Sequence, residues 1–272
     1  MTKAYLSSYR PLCRNRAGRS AIAQYGIPAF VDASCRREPD FESPCPSISA
    51  LCHKQKFAPR LKPGDCVIYI THKEKYPPYR ERHWRLVAIL KVERRFETHE
   101  EADRWYSGQG YSLPSNCMVE GNPPVPLEKT DRYRKSLDEW DRNYRVRARY
   151  CGAFLVCRPI FIELHNPPRL TDEWMQQVFG RIPGTRNPPR LSPKEYQLLL
   201  RLAMRSRGPA MGCPEPTSRR AGRAVPDEPS RASGGAGRDK RCRADHPKQG
   251  KPQALTARPL ASYSMPCSNP PR

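Results

Sequence analysis

The stretch from Tyr69 to Trp84 mixes rings with cations: Tyr69, His72, Lys73, Lys75, Tyr76, Tyr79, Arg80, Arg82, His83 and Trp84. Aromatic faces stack on nucleobases and cations hold phosphates, so this mixture suits a nucleotide or a base turned out of its stack. The same composition also describes a solvated loop whose tyrosines pack on the rim of a core. A second group is Trp105-Tyr106 followed by Leu113-Pro114-Ser115-Asn116-Cys117. The Asn116 amide carries a donor and an acceptor and can read a base edge; an asparagine in a turn also bonds its own backbone. The third group is the proline-framed run from Gly180 to Arg190, with Arg181, Arg186 and Arg190. Guanidinium forks match phosphate geometry, and a rigid loop loses little entropy on binding. Its plain alternative is a helix connector with exposed charges.

Metal and nucleophile chemistry finds less to work with. Cys35, Cys45, Cys52 and His53 would make four ligands, but their spacing is irregular and no Cys-x-x-Cys pair occurs, whereas structural zinc normally shows the close pair. Cys117 with His99, or Cys52 beside His53, would be a thiol and a base, yet no family signature surrounds either. There is no phosphate-cradling glycine loop, no His-Glu-x-x-His and no paired-carboxylate pattern. No metal, cofactor or catalytic residue is therefore assigned, and the chain reads as a binding module rather than an enzyme.

The balance of charge agrees with a polyanion partner. Lys and Arg number 49 against 27 Asp and Glu, a formal +22 over 272 residues, with a pI near 9.9. DNA, RNA or an acidic membrane face would each answer it. Codon bias in a GC-rich genome would also enrich arginine and proline. Mean hydropathy is −0.82, and no apolar run approaches the roughly 18 residues of a membrane span, so no membrane partner is expected. Met1-Thr2-Lys3-Ala4-Tyr5-Leu6 lacks an apolar leader, which predicts a cytoplasmic protein. There the 11 cysteines should be reduced, and their odd number argues against complete pairing.

The elements that must position these groups centre on Arg60 to Phe96. Lys62-Pro63-Gly64-Asp65 is a turn: proline presets φ, glycine supplies positive φ, and aspartate bonds nearby backbone. Cys66–Thr71 and Trp84–Val92 are rich in β-branched and aromatic residues and read as strands, the second buried on both faces. Before them, Lys3–Tyr9 reads as a strand, Ser20–Tyr25 as a helix stopped by Gly26, Ala29–Val31 as a short strand, and Arg36–Pro46 as polar and irregular. Ser47 looks like the N-cap of a helix that carries Ile48, Leu51 and Cys52 on one face and ends before Pro59. Beyond, helices are predicted from Thr98 to Tyr106, over Asp131–Arg149 with an apolar stripe of Tyr133, Leu137, Trp140 and Tyr144, from Thr171 to Phe179, and from Ser192 to about Arg205. Gly152–Leu164 reads as one or two edge strands broken at Pro159. The order is that of an α+β domain over residues 1–206. Residues 207–272 are rich in Gly, Pro, Ser and Arg, carry 13 Lys and Arg against 5 Asp and Glu, or +8, and read as a disordered tail.

The Leu61-Lys62-Pro63-Gly64-Asp65 turn, the strand after it, and Trp84-Arg85-Leu86-Val87-Ala88-Ile89-Leu90-Lys91-Val92 together resemble the PUA-like superfamily, which includes the PUA, ASCH, EVE and YTH domains. The segment from Cys35 to Arg60 leading into that turn is similar to bacterial nucleotide modification associated domains of the same superfamily. The resemblance spans Lys3 to Leu164. It implies a curved sheet or pseudo-barrel with flanking helices, and recognition of RNA or of modified DNA bases by an aromatic pocket. On that reading Tyr69, Trp84 and Trp105 line the pocket with Asn116 on the base edge. Arg142, Arg145, Arg147 and Arg149, with Arg181, Arg186 and Arg190, hold phosphates. The many cysteines, the basic helix and the added C-terminal helices depart from the pattern. The expected function is binding of DNA or RNA, including one that carries a modified base. An enzyme acting on nucleotides and a protein-interaction scaffold are the alternatives.

Overall fold

A computed structural model describes residues 2–131 and 136–206. The predicted tail at 207–272 and the Tyr133 position of the predicted helical stripe lie outside the described residues. The elements in chain order are β1 (Ala4–Tyr9), α1 (Arg16–Tyr25), β2 (Ser47–Ser49), β3 (Cys66–Thr71), β4 (Glu74–Lys75), β5 (Arg82–Phe96), α2 (His99–Gly108), α3 (Leu137–Tyr150), β6 (Phe154–Ile162), β7 (Arg169–Leu170), α4 (Asp172–Phe179), β8 (Arg190–Leu191) and α5 (Pro193–Ser206). The chain is mixed α and β: one eight-stranded sheet with five α-helices among the described residues.

The sheet runs β2-β6-β5-β3-β1-β8, with β4 and β7 also paired to β5. Only β1 and β3 are parallel; the other pairings are antiparallel. The Pro-Gly-Asp turn holds its predicted place. Gly64 takes φ 93°, and the Asp65 carboxylate accepts from the Lys62 and Lys3 amides at 3.1 Å each. This joins the entries of β1 and β3. The long β5 passes three register shifts against its neighbours, at Tyr69/Ile70, Ile89/Leu90 and Val92/Arg94. Such irregularities add twist, so one strand can serve several partners.

Alternation along the strands separates two cores. Tyr5, Tyr9, Val67, Tyr69, Val87, Leu90 and Val92 face one side with Phe30, Phe41 and Phe57. Leu6, Ile68, Ile70, Leu86 and Ile89 face the other, where they meet Met175 of α4 and Leu199 and Ala203 of α5. Burial of β5 on both faces is as expected from its near-continuous apolar run.

The helix signals are mostly local and mostly where they were read. In α5 the Ser192 hydroxyl accepts from the Glu195 amide at 3.3 Å, while Glu195 Oε2 accepts from the Ser192 amide at 2.6 Å, a reciprocal capping box. The caps Thr98, Ser136 and Thr171 each accept an amide from the first turn, and Gly26 and Gly180 end their helices with left-handed φ. In α1, a Cβ on Gly18 would fall 1.7 Å from the Leu12 carbonyl oxygen, so only glycine lets the helix lie on that turn.

Three expectations need correction. Ser47 does not cap a helix: Ser47–Ser49 pairs with Phe154–Val156 as a strand, and the Ser47 hydroxyl donates to Asn116 Oδ1 at 2.7 Å. Pairing with a distant strand overrides the local helical spacing. Ala29–Val31 is not a strand but part of the coil that covers the first core, where the Phe30 amide donates to the Leu164 carbonyl at 2.9 Å. Finally, β6 is one strand running past Pro159. This is possible because β2 covers only Phe154–Val156, and Pro159 sits at a register shift opposite Leu90, where a missing N–H leaves no gap in the ladder.

Candidate functional site

A cavity of about 330 Å³ opens on the first face of the sheet, at the carboxyl ends of the parallel pair β1 and β3. The end of a parallel strand pair is where open α/β sheets commonly hold ligands. Ser8, Tyr9 and Arg10 enter it from β1, and Tyr69 and His72 from β3. The coil between α1 and β2 supplies Asp32, Ser34 and Glu38. Ser49 ends β2, Cys52, His53 and Phe57 follow it, and Trp140 and Tyr144 come from one face of α3.

The aromatic wall is locked edge to face. Tyr9, Phe41 and Tyr69 form a triangle with centroids 5.3, 5.4 and 6.2 Å apart, the separation such pairs prefer. Tyr9 donates its hydroxyl to the Phe30 carbonyl. Burial pushes both tyrosine phenols well above their ordinary value, so they present neutral rings. Opposite lie carboxyl groups. Asp32 Oδ1 accepts from the Ser34 amide at 2.9 Å, the Ser34 hydroxyl at 2.5 Å and the Glu38 amide at 3.1 Å. Glu38 Oε2 accepts from the Ser49 hydroxyl at 2.5 Å and the Asn116 amide at 2.9 Å. The Ser49 amide is shared between its two oxygens, at 3.0 Å to Oε1 and 3.1 Å to Oε2. Burial drives Glu38 up to about 8; the Ser49 and Asn116 donors pull the other way, and Asp32 adds to the rise. Burial, then Asp32, lift Asp131 to about 6. Burial thus favours the protonated form of Glu38 over the carboxylate. Its Oε1, with one donor against the three on Oε2, keeps capacity for a further partner.

The covering coil is held by charged side chains bonded to backbone. Buried Arg36 donates Nε to Asp141 at 2.5 Å and Nη1 to the Ser115 and Asn122 carbonyls at 2.9 and 3.1 Å. Arg37 donates to the Asp32 and Lys129 carbonyls. Arg37 and His53 take φ of 22° and 49°, a region that costs non-glycine residues about 1 kcal/mol or more and persists where surroundings enforce it. Around His53, Ser7 Oγ lies 3.0 Å from Nε2 and the Arg186 carbonyl 3.3 Å from Nδ1. Ser8 Oγ meets Thr185 Oγ1 at 2.6 Å. The arginine-bearing loop after α4 thus reaches the rim.

The sequence-predicted residues fall in separate places. Tyr69 lines the cavity. Asn116 is fully buried and serves it from behind, orienting Glu38 and Ser47. Trp84 lies on the opposite face among Leu86, Leu170 and Met175, with Lys73 Nζ 4.9 Å from its ring centroid. Trp105 packs on α2 beside Tyr106 and Phe96. The three rings do not share a pocket, because Tyr69 and Trp84 project from opposite faces of the pleat. Tyr76 is buried, whereas Tyr79 is exposed with the Arg85 and Arg169 guanidinia 5.2 and 4.5 Å from its ring centroid.

Of the cations, Arg147 donates to the Leu51 carbonyl and covers the Tyr144 ring, and Arg145 pairs with Asp141. Arg142 lines an open hollow with Asp138 and Asp141. Arg149, Arg181, Arg186 and Arg190 are exposed. Sequence reasoning missed Tyr9, Asp32, Glu38, His53 and His72 as a group. Trp140 and Tyr144 were visible only as a helical stripe.

Burial works against a thiolate at both thiols that the sequence singled out. Cys117 points to the His99 carbonyl at 3.4 Å rather than to the imidazole, and burial pushes it up to about 12. Cys52 sits 3.8 Å from the Glu38 carbonyl, and its thiol is raised well above the ordinary value, again by burial. Among the described residues no group of three His, Cys, Asp or Glu could hold a metal ion, and no helix is long and apolar enough to cross a membrane. No family model, curated protein or solved structure matches the chain.

Proposed function

We propose that this chain binds a nucleobase, held in the cavity between Tyr9, Tyr69, Trp140 and Tyr144, as the recognition step of a DNA- or RNA-binding protein of PUA-like organisation. One observation carries the reading. The cavity pairs neutral aromatic walls with a buried, oriented carboxyl group at Glu38 that burial pushes towards its protonated form, while the Arg10 guanidinium stands exposed at its rim. A planar heterocycle answers the walls, its hydrogen-bonding edge answers Glu38, and a phosphate answers the rim. A volume near 330 Å³ lies at the small end of ligand pockets, which suits one nucleoside rather than a longer ligand. Tyr69 keeps the role the sequence pointed to, and Asn116 acts through Glu38 rather than on the ligand.

The test is titration of nucleosides and short oligonucleotides, read by the fluorescence of tryptophan. Trp140→Leu, a half-buried wall position, should weaken nucleoside binding about tenfold, equivalent to one lost stack of roughly 1–3 kcal/mol. Absence of saturable binding for every common and methylated nucleoside would remove this reading.

A second reading rests on the carboxyls alone. Glu38 near 8 and Asp131 near 6 in one cavity lie in the range a general acid and base need. Chemical turnover of a bound nucleotide, lost in Glu38→Gln, would move the chain into that class.

A further inference from the structure

Two segments leave the rim of the cavity side by side. One continues from Arg10 through a 3-10 turn to Arg14 and then to Arg19 of α1; the other continues from His72 into Glu74 and Lys75 of β4. They are tied together. The His72 amide donates to the Tyr9 carbonyl at 3.0 Å, Arg14 Nη2 lies 3.5 Å from Glu74 Oε1, and Arg82 Nη2 lies 3.7 Å from Glu74 Oε2. Arg82 Nη2 also donates to the Lys73 carbonyl at 3.1 Å. The hollow between them is lined by Arg14, Arg19, Glu74, Lys75, Pro77 and Arg82. Four cations against one carboxylate give it a net +3. Arg19, Lys75 and Arg82 are exposed, and Glu74 spaces the guanidinia instead of cancelling them.

This hollow and the cavity are one electrostatic neighbourhood. Burial first, then Arg10 and Arg14, push the His72 imidazole down, and the same two guanidinia oppose the rise of Asp131. The buried carboxyl groups of Asp32, Glu38 and Asp131 line the cavity and offer a phosphate no charge partner there. The hollow beside it attracts one.

We propose that the hollow of Arg14, Arg19, Lys75 and Arg82 carries the backbone of a single-stranded nucleic acid whose one unstacked base enters the cavity. The proposal rests on the nucleobase reading and adds the path of the strand. A base can reach a buried cavity only when it has left its stack, which favours a single strand over a duplex. Cations tracking the neighbouring phosphates then supply the salt-dependent part of the affinity. The basic side of α3, with Arg142 and Arg149, is the competing track; α3 reaches the cavity through Trp140 and Tyr144, and neither arginine lines it.

The experiment uses the full chain, a mixed-sequence single-stranded ten-mer of DNA and one of RNA, the matching DNA duplex, and a free nucleoside that binds the cavity. The triple variant Arg19→Gln/Lys75→Gln/Arg82→Gln changes three exposed side chains. It should lower the slope of log affinity against log salt by about 2, at about 0.7 per phosphate contact on single strands. It should leave nucleoside binding within twofold. Arg142→Gln/Arg149→Gln should leave the slope unchanged, and the duplex should bind at least fivefold more weakly than the single strand. An unchanged slope in the triple variant, a loss confined to the α3 variant, or equal binding of duplex and single strand would each overturn the track while leaving the nucleobase cavity standing. If no nucleoside binds but the triple variant still lowers the slope, the cavity reading falls and the hollow is only a polyanion site, which overturns the proposal as stated.

Discussion

On one face of the sheet, Leu6, Ile68, Ile70, Leu86 and Ile89 meet Met175, Leu199 and Ala203 of two helices, and aliphatic side chains dominate. On the other, alternate positions of the same strands meet a coil that buries Asp32, Arg36, Arg37, Glu38 and Asp40. The difference follows from backbone accounting. A helix satisfies its own amides and carbonyls, so it can offer the sheet a plain apolar side. A coil cannot, and buried backbone must find partners elsewhere. Here side chains provide them. Arg36 and Arg37 each bond two carbonyls, Asp40 accepts from the Glu42 and Ser115 amides, and Glu38 from the Ser49 amide. A layer built this way leaves gaps and ionisable groups, which is the material of a binding site.

Breaking the coil layer should have the largest effect. Asp141→Ala strands the buried Arg36 guanidinium, and removing one member of a buried pair costs roughly 3–5 kcal/mol. Urea unfolding should show that loss, and nucleoside binding should fall with it because Arg36 anchors the segment that carries Glu38. The double variant Arg36→Met/Asp141→Ala should recover part of the stability, since no buried charge is left unpaired, although the Ser115 and Asn122 carbonyls lose their donor and the exposed Arg145 its partner. A double variant as unstable as the single would mean the packing of Asp141, rather than the ion pair, matters. Ile68→Ala on the helical face should cost about 2–5 kcal/mol and leave the nucleoside affinity of the folded fraction unchanged.

Two carboxyl groups in or bonded to the coil layer should answer pH in opposite senses. Burial works to raise Asp141, but Arg36 and then Arg145 overcome it and hold the carboxyl below its ordinary value. Its contribution is present above the unfolded carboxylate range and is lost as pH falls through the folded value, on the acid side. Glu38 is raised to about 8. Its folded form holds a proton that the unfolded chain has released, so stability from this group falls as pH rises from about 4.3, the unperturbed glutamate value, towards 8. Glu38→Gln keeps the shape without the titration. Relative to wild type it should grow more stable by a few kcal/mol between pH 5 and 8.5, measured as the urea midpoint across that range. A constant offset would show that Glu38 is ionised throughout, and its role as a hydrogen-bond donor to a base would go with it.

These groups explain what the sequence could and could not disclose. The capping box at Ser192, the Gly64 turn and the two-faced apolar run of β5 are local, and each was legible. The layer over the first face is not. Arg36 meets partners 79 to 105 residues away, and Glu38 meets Asn116 across 78. Nothing in Cys35-Arg36-Arg37-Glu38-Pro39-Asp40 distinguishes buried charges from solvated ones. Tyr69 stood out because a ring in a strand is conspicuous. Trp84 and Trp105 were grouped with it because residue type says nothing of which face a strand position takes until the register is known.

The smallest effect should come from the helical layer's own punctuation. Ser192 caps α5 with both its hydroxyl and its amide engaged by Glu195. Ser192→Ala removes the hydroxyl acceptor for the Glu195 amide, and loss of a cap costs about 1 kcal/mol. Because Ser192 follows directly on β8, which pairs with β1 at Ala4 and Tyr5, fraying there begins at the opposite end of β1 from Tyr9 and Arg10. Amide exchange should therefore quicken in the first turn of α5 and at β8 while the amides around Ser8, Tyr9 and His72 keep their protection. Loosening that reached the cavity would show that the helical face also braces the site, and the division between a layer that stabilises and a layer that binds would have to be redrawn.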